Sequence, residues 1–454
     1  MKTLKHDPVV PPFWDVFKKL KNSDIAKTSK FEIYHPTSTL NNNQAPINFK
    51  VNKTSIEQYI DWDESYIELT LEITGLKKDG KADTPADHAN NAKVSPINNI
   101  AHSLFKKISV EANHVEISSI DNYAYVAYLN TLINFDNNSQ KTYCNVQGWV
   151  NEPYISNNDN ILNAHDTTVA NSAPLLRKQM WTDLNGNFIL KPFSPLFHLD
   201  SPMIPDVDFI ITLERYGNGK FYMMGEPEDA NNPYEIAIRD AKLFIHLIEV
   251  SPDYAISINT ARKFDHEPIN YNFSDMQLYT QDISEGAYSF TNNDLFQGRH
   301  PCRVMFMFVN SAALKGNLTK NPFKLEHLNT TSVKFTKNGN DFPFPELKCN
   351  FEKRKYARVY HHTMKSLNAP HPAAPFISYK QFGNGFTFFS YDMSPDQAGG
   401  SDPHSITNQP VTLSVEFQFS KPTDDKYTAL IYYEIDKVMN ITPDNAVTAE
   451  KAFF

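Results

Sequence analysis

The most regular feature of the chain is alternation with a period of two. Ile67, Leu69, Leu71 and Ile73 alternate with Glu68, Thr70 and Glu72, and Val411, Leu413, Val415, Phe417 and Phe419 alternate with Thr412, Ser414, Glu416 and Gln418. Successive side chains of a strand point to opposite faces, so both runs predict half-buried antiparallel strands. A third run puts Tyr427, Ala429, Ile431, Tyr433 and Ile435 on one face, and the polar segment Lys421-Pro422-Thr423-Asp424-Asp425 before it predicts a hairpin joining the last two strands. Further strands are expected at 47–51, 105–110, 209–214, 241–250, 271–280, 303–309, 333–336 and 387–391. Two segments follow helical spacing instead: Tyr123, Val126, Leu129 and Ile133 behind an Asp121 or Asn122 cap, and Tyr356, Val359, Tyr360, Met364 and Leu367 behind Lys353-Arg354-Lys355. Each predicts a helix laid across a connection between strands. Short strands separated by Pro and Asn indicate β-sandwiches rather than βαβ units.

The pattern also repeats. Lys107-Ile108-Ser109-Val110-Glu111 runs into an Ala112-Asn113-His114 turn, then Val115-Glu116-Ile117, then the Tyr-rich helix. Val333-Lys334-Phe335-Thr336 runs into Lys337-Asn338-Gly339-Asn340, then a segment over 342–347, then the helix around Tyr356. Asn113 and Asn338 stand 225 positions apart, close to half of 454, as a duplicated domain of roughly 200 residues would give. The prediction is a tandem pair of sandwiches divided near 251–263.

Composition agrees. Hydrophobic residues make up 41 %, aromatics 13 % and charged residues 21 %, which excludes a disordered chain. With only 15 Gly against 29 Pro, many positive-φ turn positions are expected to be held by Asn. A formal charge of −9 offers phosphate backbones and anionic lipid no bulk attraction. Cys144, Cys302 and Cys349 lie far apart with no CxxC pair, so neither a disulfide framework nor a thiolate zinc site is expected, and reduced, intracellular folding is. No signal peptide or membrane-spanning run is evident. Near the N-terminus Phe13, Trp14, Phe17 and Leu20, with Lys18, Lys19 and Lys21 alongside, form a short amphipathic helical stripe after the prolines at 8–12. It is expected either to pack on its own sandwich or to touch a neighbouring subunit or a membrane surface.

Catalytic constellations are weak. His361-His362, with His300 and His371, invite a metal reading, but adjacent helical residues point apart. Asp206 and Asp208 beside Pro205 are expected to cap a turn rather than act as an acid–base pair. There is no GxSxG, Walker or GxGxxG motif, and Gly217-Asn218-Gly219 is assigned to a hairpin turn. No catalytic residue, metal or cofactor is expected.

An ordered set of motifs points further. It comprises Asn99-Ile100-Ala101-His102-Ser103-Leu104-Phe105, the Asn113 turn, Asn122-Tyr123-Ala124-Tyr125, Leu132-Ile133-Asn134 and Gly148-Trp149. Downstream follow Gly298-Arg299-His300-Pro301, Asn321-Pro322-Phe323, Asn338-Gly339 before Pro343, and Tyr391-Asp392-Met393-Ser394-Pro395-Asp396. Over about 31–440 this set resembles the double jelly-roll major capsid proteins of Maverick/Polinton elements and the related adintoviruses. The resemblance implies an all-β fold of two tandem eight-stranded jelly rolls with short helices in the connections, arranged as an arm (1–30), a first jelly roll (31–250), a second (251–440) and a C-terminal tail (441–454). It implies homotrimers of pseudo-hexameric outline that tile an icosahedral shell around double-stranded DNA. Penton and minor capsid proteins would be partners; Phe13, Trp14, Phe17, Leu20, Lys18 and Lys19 of the arm would contact a neighbouring capsomer, a minor capsid protein or an internal membrane; no sequence-specific nucleic-acid binding is implied, and the protein would reside in a virion assembled in cytoplasm or nucleus. The loops at 75–97, 151–184 and 367–379 would be tower and trimer-clasping loops. The segment Gln397-Ala398-Gly399-Gly400-Ser401 is loosely similar to the Gly-containing sites that capsid maturation proteases cut, and as an exposed flexible loop it needs no such role. A jelly-roll hydrolase cleaving amides or glycosides, or a glycan-binding module, are the alternatives.

Overall fold

A computed structural model describes residues 25–40, 45–75, 94–152, 173–217, 219–225, 234–264, 266, 268–367, 377–395, 397 and 410–451. The first half contains β1 (Ala26–Tyr34), β2 (Ile47–Val51), β3 (Gln58–Thr74), β4 (Val94–Pro96), β5 (Phe105–Ala112), β6 (Val115–Asp121), β7 (Asn187–Leu190), β8 (Phe209–Arg215), β9 (Met223–Gly225) and β10 (Glu235–Val250). Two four-stranded sheets, ordered β1-β10-β3-β7 and β2-β8-β5-β6, make the first sandwich, and β4 with β9 forms a small ribbon. The second half contains β11 (Ile269–Ile283), β12 (Ser289–Leu295), β13 (Arg303–Asn310), β14 (Thr330–Lys337), β15 (Asn340–Asp341), β16 (Leu347–Lys348), β17 (Phe388–Asp392), β18 (Leu413–Phe419), β19 (Tyr427–Ile441) and β20 (Val447–Lys451). Its sheets run β11-β19-β13-β17 and β12-β18-β14-β15, with β20 added beside β19 and β16 beside β14. The sheet orders match strand for strand once β1 is set on β11, β2 on β12, β3 on β13, β5 on β14, β6 on β15, β7 on β17, β8 on β18 and β10 on β19.

The four longer described helices are α1 (Tyr123–Asn134), α2 (Ala173–Leu184), α3 (Pro252–Phe264) and α4 (Ala357–Ser366). α1 and α4 follow the two Asn turns as their spacing predicts, and α3 carries the chain from β10 to β11. Asn122 stands at the N-cap of α1 in a left-handed conformation, φ 51°, and its side chain makes no capping bond.

The duplication extends to hydrogen bonds. Asn113 and His114 have φ of 47° and 66°, and Asn338 and Gly339 have 52° and 78°. Positive φ at both central residues is the hairpin turn that matches strand twist. The Asn113 N–H donates to Asp208 O (2.9 Å), and its Oδ1 accepts from Asp208 N (2.9 Å). The Asn338 N–H donates to Thr412 O (2.8 Å), and its Oδ1 accepts from Thr412 N (2.9 Å). The same clamp thus ties each hairpin to the residue before the equivalent strand, β8 or β18. Seven of the fifteen described non-glycine residues with positive φ are Asn, in line with the composition.

Three expectations are corrected. β18 and β19 are not a hairpin, because they lie in opposite sheets of the second sandwich. The connection 420–426 is long enough to bridge the ~10 Å between stacked sheets, and alternation carries no information about which sheet a strand joins. Gly217 and Gly219 are likewise not a hairpin turn, since β8 and β9 belong to different sheets. A Cβ on Gly219 would stand 2.1 Å from Tyr234 O, so this glycine serves a close backbone approach. The segment 441–454, read as a tail, contains β20, whose five residues pair with β19 after a turn through Asn445 at φ 63°. The run Val-Thr-Ala-Glu-Lys has a single large apolar side chain, so no alternation shows in it.

Candidate assembly interface

The two sandwiches share one continuous buried core. α1 is buried at every position from Tyr123 to Ile133. Its inner side faces its own sandwich, and Phe323, from the connection between β13 and β14, covers its outer side. Tyr128 stacks on Phe323 at 4.2 Å with 4° between planes, and Tyr125 meets the same ring edge-on at 5.5 Å.

Below this contact β6 lies along β11. The Asp275 carboxylate is 1 % exposed, yet fully compensated. The Ser118 hydroxyl donates to it at 2.8 Å, Gln277 Nε2 at 3.0 Å and Lys437 Nζ at 2.6 Å. Gln277 also donates to Ser119 O at 3.1 Å, so the buried charge is held across the junction. Nearer the start of β11, the Tyr271 hydroxyl accepts from Ile204 N (3.0 Å) and donates to Pro202 O (3.2 Å). Burial raises the pKa of that hydroxyl well above its ordinary value. Arg262 of α3 pairs with Asp206 at 3.7 Å and with the Asn445 side chain, while Asn113 Nδ2 donates to Asn445 O at 2.9 Å. The linker helix, the C-terminal turn and the first Asn hairpin therefore form one knot.

The surfaces that occupy the same topological positions at the outer ends of the pair are bare. β11 keeps Tyr271, Phe273, Asp275 and Leu278 buried. Its counterpart β1 has eight exposed residues of nine, with Phe31 50 % and Ile33 49 % exposed. Phe31 continues an aromatic stripe across the sheet, to His246 at 4.9 Å and Tyr66 at 5.9 Å, and Tyr66 stacks on Phe244 at 5.0 Å. α4, the counterpart of α1, leaves Arg358, His361 and Lys365 exposed. A junction made during folding is as apolar as a core, whereas a surface that meets water before pairing keeps a more polar character.

The residues singled out for chemistry do not converge. His361 is exposed, and His362 stacks on Phe344 at 4.0 Å. His300 sits at 3.1 Å from Lys337 Nζ. Asp208 accepts from Lys53 N at 2.7 Å while Asp206 turns to Arg262, so both serve turns and the junction. Among the described residues no three His, Cys, Asp or Glu side chains are placed to hold a metal ion, and no helix is long and apolar enough to cross a membrane. Desolvation pushes the Cys144 and Cys349 thiols up to about 12 and His102 down to about 3. His102 is locked between the Tyr123 hydroxyl at 2.7 Å and Gln147. Phe13, Trp14, Phe17, Lys18, Lys19, Leu20, His371, the 398–401 segment and most of the three long loops lie outside the described residues. Sequence reasoning missed Phe323 as a contact, Asp275, Lys437 and Arg262. Polar residues in alternation read as solvent-facing, and nothing local marks the few that meet another sandwich.

No family model matches the sequence. An uncharacterized protein of Caenorhabditis elegans is 21 % identical over 407 residues, covering 88 % of this chain and 91 % of that protein. The cryo-electron microscopy structure of the Sputnik virophage superposes with a TM-score of 0.66 at 12 % identity, covering 99 % of this chain and 93 % of that one. This chain is a double jelly roll. Two further double jelly-roll structures agree: the faustovirus major capsid protein (TM-score 0.56, 8 % identity, 96 % and 92 % covered) and the mavirus major capsid protein (0.52, 11 %, 100 % and 97 %). At such identities the likeness carries the fold.

Proposed function

We propose that this double jelly roll is a major capsid protein: a structural, non-enzymatic subunit of the Maverick/Polinton and adintovirus-like type. Three copies associate into a pseudo-hexameric capsomer, and capsomers tile an icosahedral shell around a double-stranded DNA genome. The observation that supports this reading is the unequal fate of two equivalent strands. Within the chain β11 is covered by the first jelly roll, while β1 in the same topological position is bare and carries Phe31 and Ile33 at 50 % and 49 % exposure. A contact whose two sides differ is heterologous; repeated between chains with a rotation that closes it makes a ring, and a ring of three chains would hold six jelly rolls. Bare apolar side chains on an edge strand call for such a cover. Penton and minor capsid proteins are the further partners this role requires, and the virion is its location.

Light scattering on the purified full-length protein tests the reading. A mass near three times 51.9 kDa, with hexagonal outlines in negative stain, is expected. A monomer at every concentration and salt condition that favours assembly would overturn it.

A further inference from the structure

A cleft of about 570 Å³, within the range of small-ligand pockets, opens at one end of the second jelly roll, where β13 and β18 end and β14 and β19 begin. This is the end away from α3, because Ile269 at the start of β11 pairs with Ile441 at the far end of β19. The connections 310–329 and 421–427 supply its walls. Charge on them balances: Lys320, Lys324 and Lys421 stand against Glu326, Asp424 and Asp425. Lys320 pairs with Asp425 at 2.6 Å, Lys324 with Glu326 at 2.7 Å, and Lys421 with Glu352 behind the wall. Asp424 differs from the others. It is exposed, its Oδ1 accepts from the Tyr427 hydroxyl at 2.8 Å, and it pairs with no cation among the described residues. Leu328 and Pro422 are the aliphatic surfaces.

One wall is strained. Leu328 and Asn329 have φ of 45° and 48°, and Thr330 N donates to His327 O at 2.9 Å, so a tight turn with two left-handed residues borders the cleft. A bulky side chain such as that of Leu328 rarely takes this conformation, and such outliers collect at binding sites. His327 holds the turn: its Nδ1 accepts from Asn329 N at 2.9 Å, and its ring stacks on Phe351 at 4.6 Å. Burial keeps that imidazole neutral, so with Nδ1 accepting, the proton sits on Nε2. The cleft is thus walled by fixed donors and acceptors with little apolar surface between them.

These features select the ligand. An anion would have to compete with the carboxylates that already hold the three lysines, and an apolar molecule would desolvate charged groups without replacing their bonds. A polyhydroxylated molecule does neither, because each hydroxyl both donates and accepts. We infer that this cleft binds a neutral pyranose sugar, with Asp424 accepting from its hydroxyls, Lys320 and Lys324 donating to them, and Leu328 and Pro422 against its C–H face. The inference goes beyond the shell reading and does not depend on it.

Saturation-transfer NMR on the full-length protein tests it, with the methyl glycosides of glucose, galactose, mannose, fucose and N-acetylglucosamine offered singly. Saturation of at least one is expected. Asp424→Asn should weaken that binding about tenfold, as loss of a charged acceptor does, and Pro422→Trp, which fills the cleft, should abolish it. Both positions are exposed, so both variants should keep the wild-type circular dichroism spectrum. No saturation of any glycoside, equal saturation in Pro422→Trp, or displacement of the sugar by inorganic phosphate would each overturn the inference. The trimer mass is read separately, so failure here leaves the shell reading standing.

Discussion

At the residue scale, burial sets the chemistry. His102 is wholly buried, and desolvation lowers its pKa to about 3; His327, half-buried, is lowered to about 4. In the unfolded chain both take up a proton near the ordinary value of about 6.5. The folded state binds fewer protons between that value and its own, so the stability contributed is present above pH 6.5 and is lost as pH falls towards 4. The urea midpoint is expected to drop between pH 7 and pH 5, and His102→Gln, which keeps a polar side chain at that site, to flatten the drop. A midpoint unchanged over that window would contradict this. Asp425, held down at about 2 mainly by its bonds from Lys320 and Asn310, titrates below the window and does not confuse it. The two Asn turns offer a second check. Asn113→Ala and Asn338→Ala should each cost on the order of 1–2 kcal/mol, since a Cβ-bearing residue without a local polar partner resists the left-handed region. The Gly variants should cost less, losing chiefly the clamp bond to Asp208 or Thr412. Unequal costs for the two Ala variants in chemical denaturation would argue against the clamps being equivalent.

At the element scale, α1 and α4 have the same place in the fold and different surroundings. Their helical spacing is plain in the sequence, and so are the turns before them, because both depend on residues near in the chain. The all-round burial of α1 is not. Its Tyr125 and Tyr128 read as the edge of an amphipathic face until Phe323, almost two hundred positions on, is placed over them. Phe323→Ala should cost about 3–5 kcal/mol through the cavity it leaves. It should also split calorimetric unfolding into two steps, because this ring ties the two jelly rolls together. A single transition with unchanged midpoint would show that the hydrogen bonds around Asp275 suffice.

For the molecule as a whole, the asymmetry between covered β11 and bare β1 is the feature with consequence. Phe31→Glu with Ile33→Glu places charge on an exposed edge strand, where it costs the folded chain little. Buried between chains it would cost several kcal/mol. The variant is expected to run as a folded monomer with the wild-type circular dichroism spectrum; a trimer of wild-type mass would show that β1 is not an interchain surface. The pair of jelly rolls is built so that one junction forms during folding. The equivalent surface at the other side, with polar α4 and the aromatic stripe around Phe31, is exposed within the chain.

The sequence by itself determined the all-β class, most strand positions, both helices after the Asn turns and the duplication. All of these are written in period-two and period-3.6 patterns or in turn residues, which act over a few positions. Only the tertiary structure decided that β18 and β19 lie in opposite sheets, that Val447–Lys451 form β20, and that Asp275 is a buried charge held by Ser118, 157 positions away, and by Lys437. Those outcomes depend on which surfaces meet once sandwiches have formed, and hydrophobic burial, being non-directional, does not encode the partner locally.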